Sequence, residues 1–375
     1  MRITLAALVM LLVTGCRSIG YYAHVTHGQM ALLHERRPIS KVLADPKTPD
    51  TTRKRLALAT EARRFASTRL DLPDNRSYTY FVQLDRPWVA WNVFATPELS
   101  VAPVTHCFPI AGCVAYRGYF RKDLADREAV RESALGHDVA IGEVPAYSTL
   151  GWFADPILSS MLRWDDDELA GTIFHELAHQ KVYVKNDSSF NESFATFVER
   201  EGLREWRLSR HQPPPDGKGD ALQRAFTQQV LALRDRLKAI YAQAWTDDAK
   251  RVAKAEAFED FRGRYLAWRG DEAGGDHRYD RWMSRPLNNA TLLPFGLYDT
   301  WVPSFATLFD ESGRSWPAFF ARVKTLSRLA PAERTLALER LASAASRAPA
   351  GGGRRRRDVT ATPSASGPPC ASGTP

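Results

Sequence analysis

Two histidines and two glutamates lie within one short stretch of the chain and could form a metal site. Residues 174–202 read FHELAHQKVYVKNDSSFNESFATFVEREG, which places His175 and His179 four positions apart and Glu176 beside the first histidine. Histidines four apart on a helix project from one face, so two neutral imidazoles can share one Zn²⁺. Glu176 between them can then act as a general base on a water bound at the metal.

The residues around the histidine pair predict an amphipathic helix that would hold both imidazoles. The face opposite the histidines is apolar and includes Leu169, Ile173 and Leu177. Asp165 followed by Glu168 resembles a capping box at the start of this helix. A plain surface helix is the alternative, because such a His-Glu-x-x-His match arises by chance in about one chain in a hundred of this length.

A catalytic zinc site needs a third protein ligand and an open position for water. The metzincin pattern is excluded, since it would require glycine at Val182 and histidine at Lys185. A carboxylate further along the chain could supply the third ligand. Asp187 is one candidate, but it is more typical of a residue at a helix start than of a metal ligand. Glu192 lies in the next predicted helix, and a tight turn between the helices would bring it towards the histidines. Residues 189–192 are also a capping-box sequence, in which Glu192 would bond only its own backbone.

The two motifs resemble those of the gluzincin metallopeptidases, in which His-Glu-x-x-His is followed by Asn-Glu on the next helix. The stretch FNESFATFVE is similar to the Asn-Glu-Gly-Phe-Ala stretch of zinc aminopeptidases, although the interval between the motifs is shorter here. The wider chain, with VTGC near its start and CFPIAGCVAYRGYF further on, resembles a family of bacterial lipoproteins described as predicted aminopeptidases. This resemblance extends to about residue 329.

The resemblance implies a role for each residue of the two motifs. His175, His179 and Glu192 would be the zinc ligands, and Glu176 would be the general base of a metal-assisted hydrolysis. Asn191 would bind or position the substrate, or support a ligand. The implied cofactor is therefore Zn²⁺, and the implied substrate is a peptide.

The resemblance also leaves two roles less well defined. Zinc aminopeptidases supply a tyrosine that stabilises the oxyanion, and Tyr298 is the candidate here, with Tyr183 and Tyr147 as alternatives. Their Gly-x-Met-Glu-Asn segment, which holds the substrate amine, has no counterpart in this chain. Thr196 or Glu199 could orient a ligand histidine through a hydrogen bond.

The N-terminus predicts a protein of the bacterial cell envelope. MRITLAALVMLLVTGC combines a charged start, a short apolar run and small residues before Cys16, which is typical of a lipobox. Residues 1–15 are the predicted signal peptide, and lipidation of Cys16 would anchor the chain on the periplasmic side. Arg17 favours the outer membrane, since it replaces the aspartate that resembles an inner-membrane retention signal. An ordinary cleaved signal with an incidental cysteine is the alternative.

Cysteines, charge and composition define the rest of the chain. Cys107 and Cys113 bracket a turn that contains proline and glycine, and they fit a disulfide in an oxidising compartment.

The net charge is +8, but the four arginines at 354–357 supply half of it. The sequence has no basic patch interleaved with aromatic residues, which would indicate nucleic-acid binding. We expect a metallopeptidase domain over residues 16–347 and a disordered basic tail over residues 348–375.

Hydrophobic periodicity predicts a mainly helical α+β fold with a small antiparallel sheet beside the His-Glu-x-x-His helix. Segments rich in β-branched and aromatic residues at 77–85, 87–97 and 113–120 are the candidate strands. Long helices are expected between residues 221 and 269, and shorter ones near the end of the domain.

The sequence therefore predicts a zinc-dependent peptidase and favours an aminopeptidase. One alternative is a zinc endopeptidase that acts on envelope proteins or peptidoglycan stem peptides. Another is a non-enzymatic envelope lipoprotein whose helices only support interactions. The expected partners are a peptide substrate and the membrane, and the oligomeric state is not determined by the sequence.

Overall fold

The computed structural model describes residues 2–108, 112–295 and 300–347, with side chains between residues 19 and 344. The Cys16 side chain and the predicted tail at residues 348–375 lie outside this part. Among the described residues, no helix is both long enough and apolar enough to cross a membrane. The chain is mainly helical with small, largely antiparallel sheets, which confirms the predicted fold class.

The helices account for most of the described chain. They are α1 (Arg2–Glu35), α2 (Ile39–Ala44), α3 (Asp50–Arg69), α4 (Lys122–Ala134), α5 (Asp166–Lys181), α6 (Ser188–Ser209), α7 (Lys218–Tyr241), α8 (Asp247–Asp271), α9 (Asp280–Met283), α10 (Val302–Glu311), α11 (Trp316–Ser327) and α12 (Pro331–Arg347). The strands are β1 (Arg37–Pro38), β2 (Tyr80–Val82), β3 (Ala90–Pro97), β4 (His106–Phe108), β5 (Gly112–Val114), β6 (Tyr116–Tyr119), β7 (His137–Val144) and β8 (Ile157–Leu158).

The strands form three small sheets. The first has the antiparallel order β6–β3–β7, and β3 pairs with β7 from Ala90 opposite Val144 to Pro97 opposite His137. A second sheet has the order β1–β2–β8, in which β2 and β8 run parallel. The third is the β4–β5 hairpin. Strand β7 was not predicted, because all its side chains are half-buried and neither face is clearly apolar.

The pair of helices α5 and α6 lies at the centre of the main hydrophobic core. The predicted apolar face of α5 is completely buried and comprises Leu169, Ala170, Ile173, Phe174, Leu177 and Ala178. On α6, Phe194 packs against Phe305 of α10, and Phe197 packs against Phe319 of α11. Each such fully buried side chain contributes about 1.5–3 kcal/mol. Both sides of the helix pair are therefore held firmly.

The second half of α1 also belongs to this fold. Tyr21 packs against Tyr119 with ring centroids 5.5 Å apart, and the Phe120 N–H donates a hydrogen bond of 3.0 Å to His24 Nε2. Gly28 lies against the Phe120 ring, where a Cβ would approach within 2.2 Å of Cδ2. Contacts at three successive turns thus hold α1 on the end of β6.

Helices α7 and α8 build a separate hydrophobic cluster. Phe226 and Phe261 are fully buried there, and Tyr265 is 2% exposed. The Tyr265 hydroxyl donates a hydrogen bond to Asp280, so this buried phenol has a partner. The cluster shares none of its fully buried residues with the core around α5 and α6.

Candidate metal centre

Helix α5 begins where the sequence predicts. The Asp165 side chain caps it by accepting a hydrogen bond of 2.8 Å from the Glu168 N–H. The helix continues to Lys181, so His175 and His179 occupy successive turns of one face. Their ring centroids are 4.8 Å apart. The amphipathic pattern therefore brings the two imidazoles together.

The start of helix α6 excludes one of the two interpretations of Glu192. The helix N-cap is Asp187, whose side chain accepts a hydrogen bond of 3.0 Å from the Phe190 N–H. The alternative in which Glu192 completes a capping box with Ser189 is therefore wrong. Asn186 adopts a left-handed conformation (φ 64°) in the preceding turn, which folds α6 back onto α5. Glu192 is then free to face the histidines.

Asn191 lies in a position that fits one of the two roles implied by the family resemblance, the support of a ligand. Its side chain is 1% exposed, and its Nδ2 donates to the Val184 carbonyl while its Oδ1 accepts from the Val184 N–H, both at 2.8 Å. Both ends of its amide bond to Val184, so Asn191 closes the turn between α5 and α6. Because the side chain is buried, we do not expect it to contact substrate directly. It also fixes the position of the adjacent Glu192.

Three ligand atoms converge at the centre of the site. His175 Nε2 and His179 Nε2 are 3.1 Å apart, and Glu192 Oε2 lies 3.3 Å from the first and 3.7 Å from the second. Around a tetrahedral zinc ion with bonds of about 2.0–2.1 Å, neighbouring ligand atoms are about 3.3 Å apart. The group of two histidines and one glutamate could therefore hold a metal ion.

Glu199, one of the two residues expected to orient a ligand histidine, makes that contact. Its Oε2 lies 2.9 Å from His175 Nδ1, on the opposite edge of the ring from Glu192. Gly171 makes room for it, since a Cβ at this position would lie 3.2 Å from Glu199 Cγ. A proton on His175 Nδ1 leaves the lone pair of Nε2 directed at the ligand cluster.

The protonation of the cluster follows from these contacts. Burial lowers the pKa of His175, but hydrogen bonds to Glu192 and Glu199 outweigh burial and raise the pKa well above its ordinary value. Burial also opposes ionisation of Glu192, yet hydrogen bonds to His175 and His179 lower its pKa from 4.5 to about 2. Without metal, the cluster is therefore an ion pair, and a divalent cation would replace the proton on His175.

The candidate tyrosines are differently placed. Tyr298 lies outside the described residues, so its role stays a prediction. The Tyr183 ring packs edge-on beside His179 and is 40% exposed, whereas Tyr147 packs against Phe120. Of the two alternatives to Tyr298, Tyr183 is thus shown in contact with a candidate ligand.

Tyr116 is a tyrosine near the cluster that the sequence analysis did not single out. It stands on β6, and its exposed fraction is 37%. Burial of the rest of the side chain raises the pKa of its phenol, and the nearby charge of Glu192 raises it further. Tyr116 belongs to the segment YRGYF, whose Arg117 pairs with Glu128 at 3.4 Å.

The predicted disulfide joins Cys107 and Cys113 across the β4–β5 hairpin. The Cys113 N–H donates a hydrogen bond of 3.3 Å to Asn186 Oδ1, in the turn between α5 and α6. The hairpin therefore contacts the loop that connects the helices of the candidate site.

Comparison with known proteins supplies the family. No curated protein and no solved structure matches the chain. A family model described as "Putative aminopeptidase" matches residues 20–338, which is most of the chain and includes the whole histidine–glutamate cluster. This match supports a peptidase function and a peptide substrate in general terms. The chain belongs to this aminopeptidase family.

Proposed function

We propose that the protein is a zinc-dependent aminopeptidase. The observation that carries this proposal is the convergence of His175 Nε2, His179 Nε2 and Glu192 Oε2 at separations of 3.1–3.7 Å. Those separations suit a tetrahedral zinc ion whose fourth position is open for water. Glu176, which follows the first histidine, is the candidate general base for that water. Membership of the aminopeptidase family supplies the substrate class.

The protein residues around the proposed ion have separate tasks. A bound zinc ion would act as a Lewis acid on the scissile carbonyl and would make a nearby water more acidic. Glu176 accepts the proton of the attacking water and delivers it to the leaving amine. Glu199 holds His175 in the tautomer that presents Nε2. We assign the stabilisation of the oxyanion to Tyr298 on the family resemblance alone.

The cellular setting is also part of the proposal. Lipidation of Cys16 after removal of residues 1–15 would anchor the enzyme on the periplasmic side of the outer membrane. The domain would then extend over residues 16–347. Labelling with a radioactive fatty acid, lost in Cys16→Ala, tests this assignment, and an unlabelled wild-type chain would contradict it.

The proposed function is tested on the full chain purified in detergent. We expect one bound zinc per chain and zinc-dependent cleavage of amino-acid anilides. Glu176→Gln should lower kcat by about 100-fold or more, because it removes the general base, while zinc remains bound. Glu168→Gln, on the same polar face two turns earlier, is the matched control and should retain activity. Full hydrolysis by Glu176→Gln would contradict the assigned mechanism.

An endopeptidase is the second candidate, favoured by one observation. The chain lacks the Gly-x-Met-Glu-Asn segment with which the zinc aminopeptidases hold the substrate's free amine. Blocking the N-terminus of a peptide substrate separates the two functions. An aminopeptidase loses cleavage of the blocked peptide, whereas an endopeptidase retains it.

A further inference from the structure

The segment before β2 runs along the face of α5 that carries Glu176. Asn75 Nδ2 donates a hydrogen bond of 2.7 Å to Gln180 Oε1, and Gln180 Nε2 donates one of 3.3 Å to Ser77 Oγ. Gln180 lies one helical turn after Glu176, and Cβ atoms four residues apart on a helix are about 5–6 Å from each other. Tyr78, which follows Ser77, is therefore placed beside Glu176.

Tyr78 has two unusual properties. Its backbone is left-handed (φ 62°), which is rare for a bulky residue and strained. Its side chain is 2% exposed, and the buried hydroxyl has no hydrogen-bond partner among the described residues. Because buried polar groups are nearly always paired, an unpaired hydroxyl in a strained segment indicates a function.

Glu176 offers the complementary group. Among the described residues, no hydrogen bond or ion pair engages its carboxylate, although it sits between two candidate ligands. Burial raises the pKa of the Tyr78 phenol well above its ordinary value, and the charges of Glu176 and Asp155 raise it further. The phenol therefore stays protonated at neutral pH and remains a hydrogen-bond donor.

The other acceptors near Tyr78 are already engaged. The Asp155 carboxylate accepts from the Thr149 N–H (3.1 Å), from Thr149 Oγ1 (2.6 Å) and from Ser148 Oγ (3.3 Å). Ser148 Oγ also accepts from the Leu150 N–H. Hydrogen bonding towards Ser148 lowers the pKa of Tyr78, but the phenol meets the distance and angle of a full hydrogen bond with no described residue, neither Ser148 nor Glu176. Among these nearby acceptors, Glu176 is the one whose oxygens no other described residue occupies.

We propose that Tyr78 is a positioning residue for the general base. Its hydroxyl, which has no partner among the described residues of this structure, donates a hydrogen bond to the Glu176 carboxylate in the zinc-loaded enzyme. This bond occupies one carboxylate oxygen and holds the other towards the cluster of His175, His179 and Glu192. The inference rests on the proposed peptidase function and adds to it the residue that orients Glu176. It also explains why a strained, buried tyrosine is placed against this face of α5.

The test is Tyr78→Phe in the full chain, which keeps the ring and removes only the hydroxyl. Loss of a hydrogen bond to a charged group should lower kcat by about 10- to 100-fold, with KM changed by less than about twofold. Zinc content should be unchanged. The thermal unfolding midpoint of the metal-free protein should stay the same or rise, because the hydroxyl removed has no partner.

Tyr265→Phe is the matched control. It removes the hydroxyl of a tyrosine that is as buried as Tyr78 overall, and this hydroxyl does have a partner, Asp280, in the separate cluster of α7 and α8. We expect this change to lower the unfolding midpoint and to leave kcat unchanged. In a Glu176→Gln background, Tyr78→Phe should cause no further loss of activity, because the group it positions is no longer a base.

Two results would overturn the inference while leaving the proposed function intact. One is wild-type kcat in Tyr78→Phe when Glu176→Gln is inactive. The other is a fall in kcat that is accompanied by a fall in the unfolding midpoint or in zinc content, which would give Tyr78 a purely structural role. A wild-type chain that binds no zinc and cleaves no peptide would instead refute the proposed function, and this inference with it.

Discussion

Glu199 controls one imidazole of the candidate site without touching the proposed ion. Its contact with His175 Nδ1 at 2.9 Å fixes both the ring orientation and the tautomer. Carboxylates in this position typically contribute 10- to 100-fold in metal affinity, so we expect Glu199→Ala to weaken zinc binding by about that factor. Competition with a chromogenic chelator measures the change. Glu199→Gln is the control, since its amide oxygen can still accept the bond, and equal affinities in both variants would argue against this role.

Glu192 should make the metal-free protein sensitive to acid. Its pKa is lowered in the folded state from 4.5 to about 2, so its ionised form stabilises the fold above pH 4.5. That stabilisation is lost as the pH falls from about 4.5 towards 2. Denaturant unfolding of chelator-treated wild type and Glu192→Gln should therefore show a difference in unfolding free energy that shrinks over this range. A difference that stays constant with pH would exclude a folded-state ion pair.

At the scale of elements, the turn between α5 and α6 determines where the third ligand lies. Asn191→Ala would leave the Val184 N–H and carbonyl without their partner in a partly buried turn, at up to about 1–3 kcal/mol for each group. We expect a lower free energy of unfolding and weaker zinc binding. Once saturated with zinc, the folded variant should keep a normal KM, because we do not expect the buried Asn191 to contact substrate. A raised KM at full zinc occupancy would instead support a substrate-binding role for Asn191.

Local patterns explain which elements could be predicted. The apolar face of α5, its Asp165 cap and the Asp187 start of α6 depend on neighbours within a few residues, and each could be read from the sequence. Tyr78 and Tyr116 come near the candidate site from distant segments of the chain, so only the folded arrangement singles them out. The wrong capping alternative for Glu192 arose because Ser189 fits the same local pattern as Asp187, and only the folded turn distinguishes them.

At the scale of the whole molecule, the Cys107–Cys113 disulfide closes a small loop beside the candidate site. A loop of this length should stabilise the fold by about 2 kcal/mol through the unfolded chain. Urea unfolding with and without dithiothreitol measures this contribution. Reduction should lower the free energy of unfolding of the wild type. The control is Cys107→Ser with Cys113→Ser, which should not respond. Zinc content should persist after reduction, since none of the three ligands lies in the hairpin.

The packing of α1 on the end of β6 has a consequence for where the enzyme can work. Tyr21 already packs against Tyr119, and it follows Cys16 by only five residues. Even fully extended, five residues span about 18 Å, so a lipid on Cys16 would leave no long tether between bilayer and enzyme. The proposed catalytic domain would then lie directly at the membrane surface. It would meet only those peptides that come within a few nanometres of the membrane. The substrate concentration that governs its rate would then be the local one at the membrane surface, not that of the bulk periplasm.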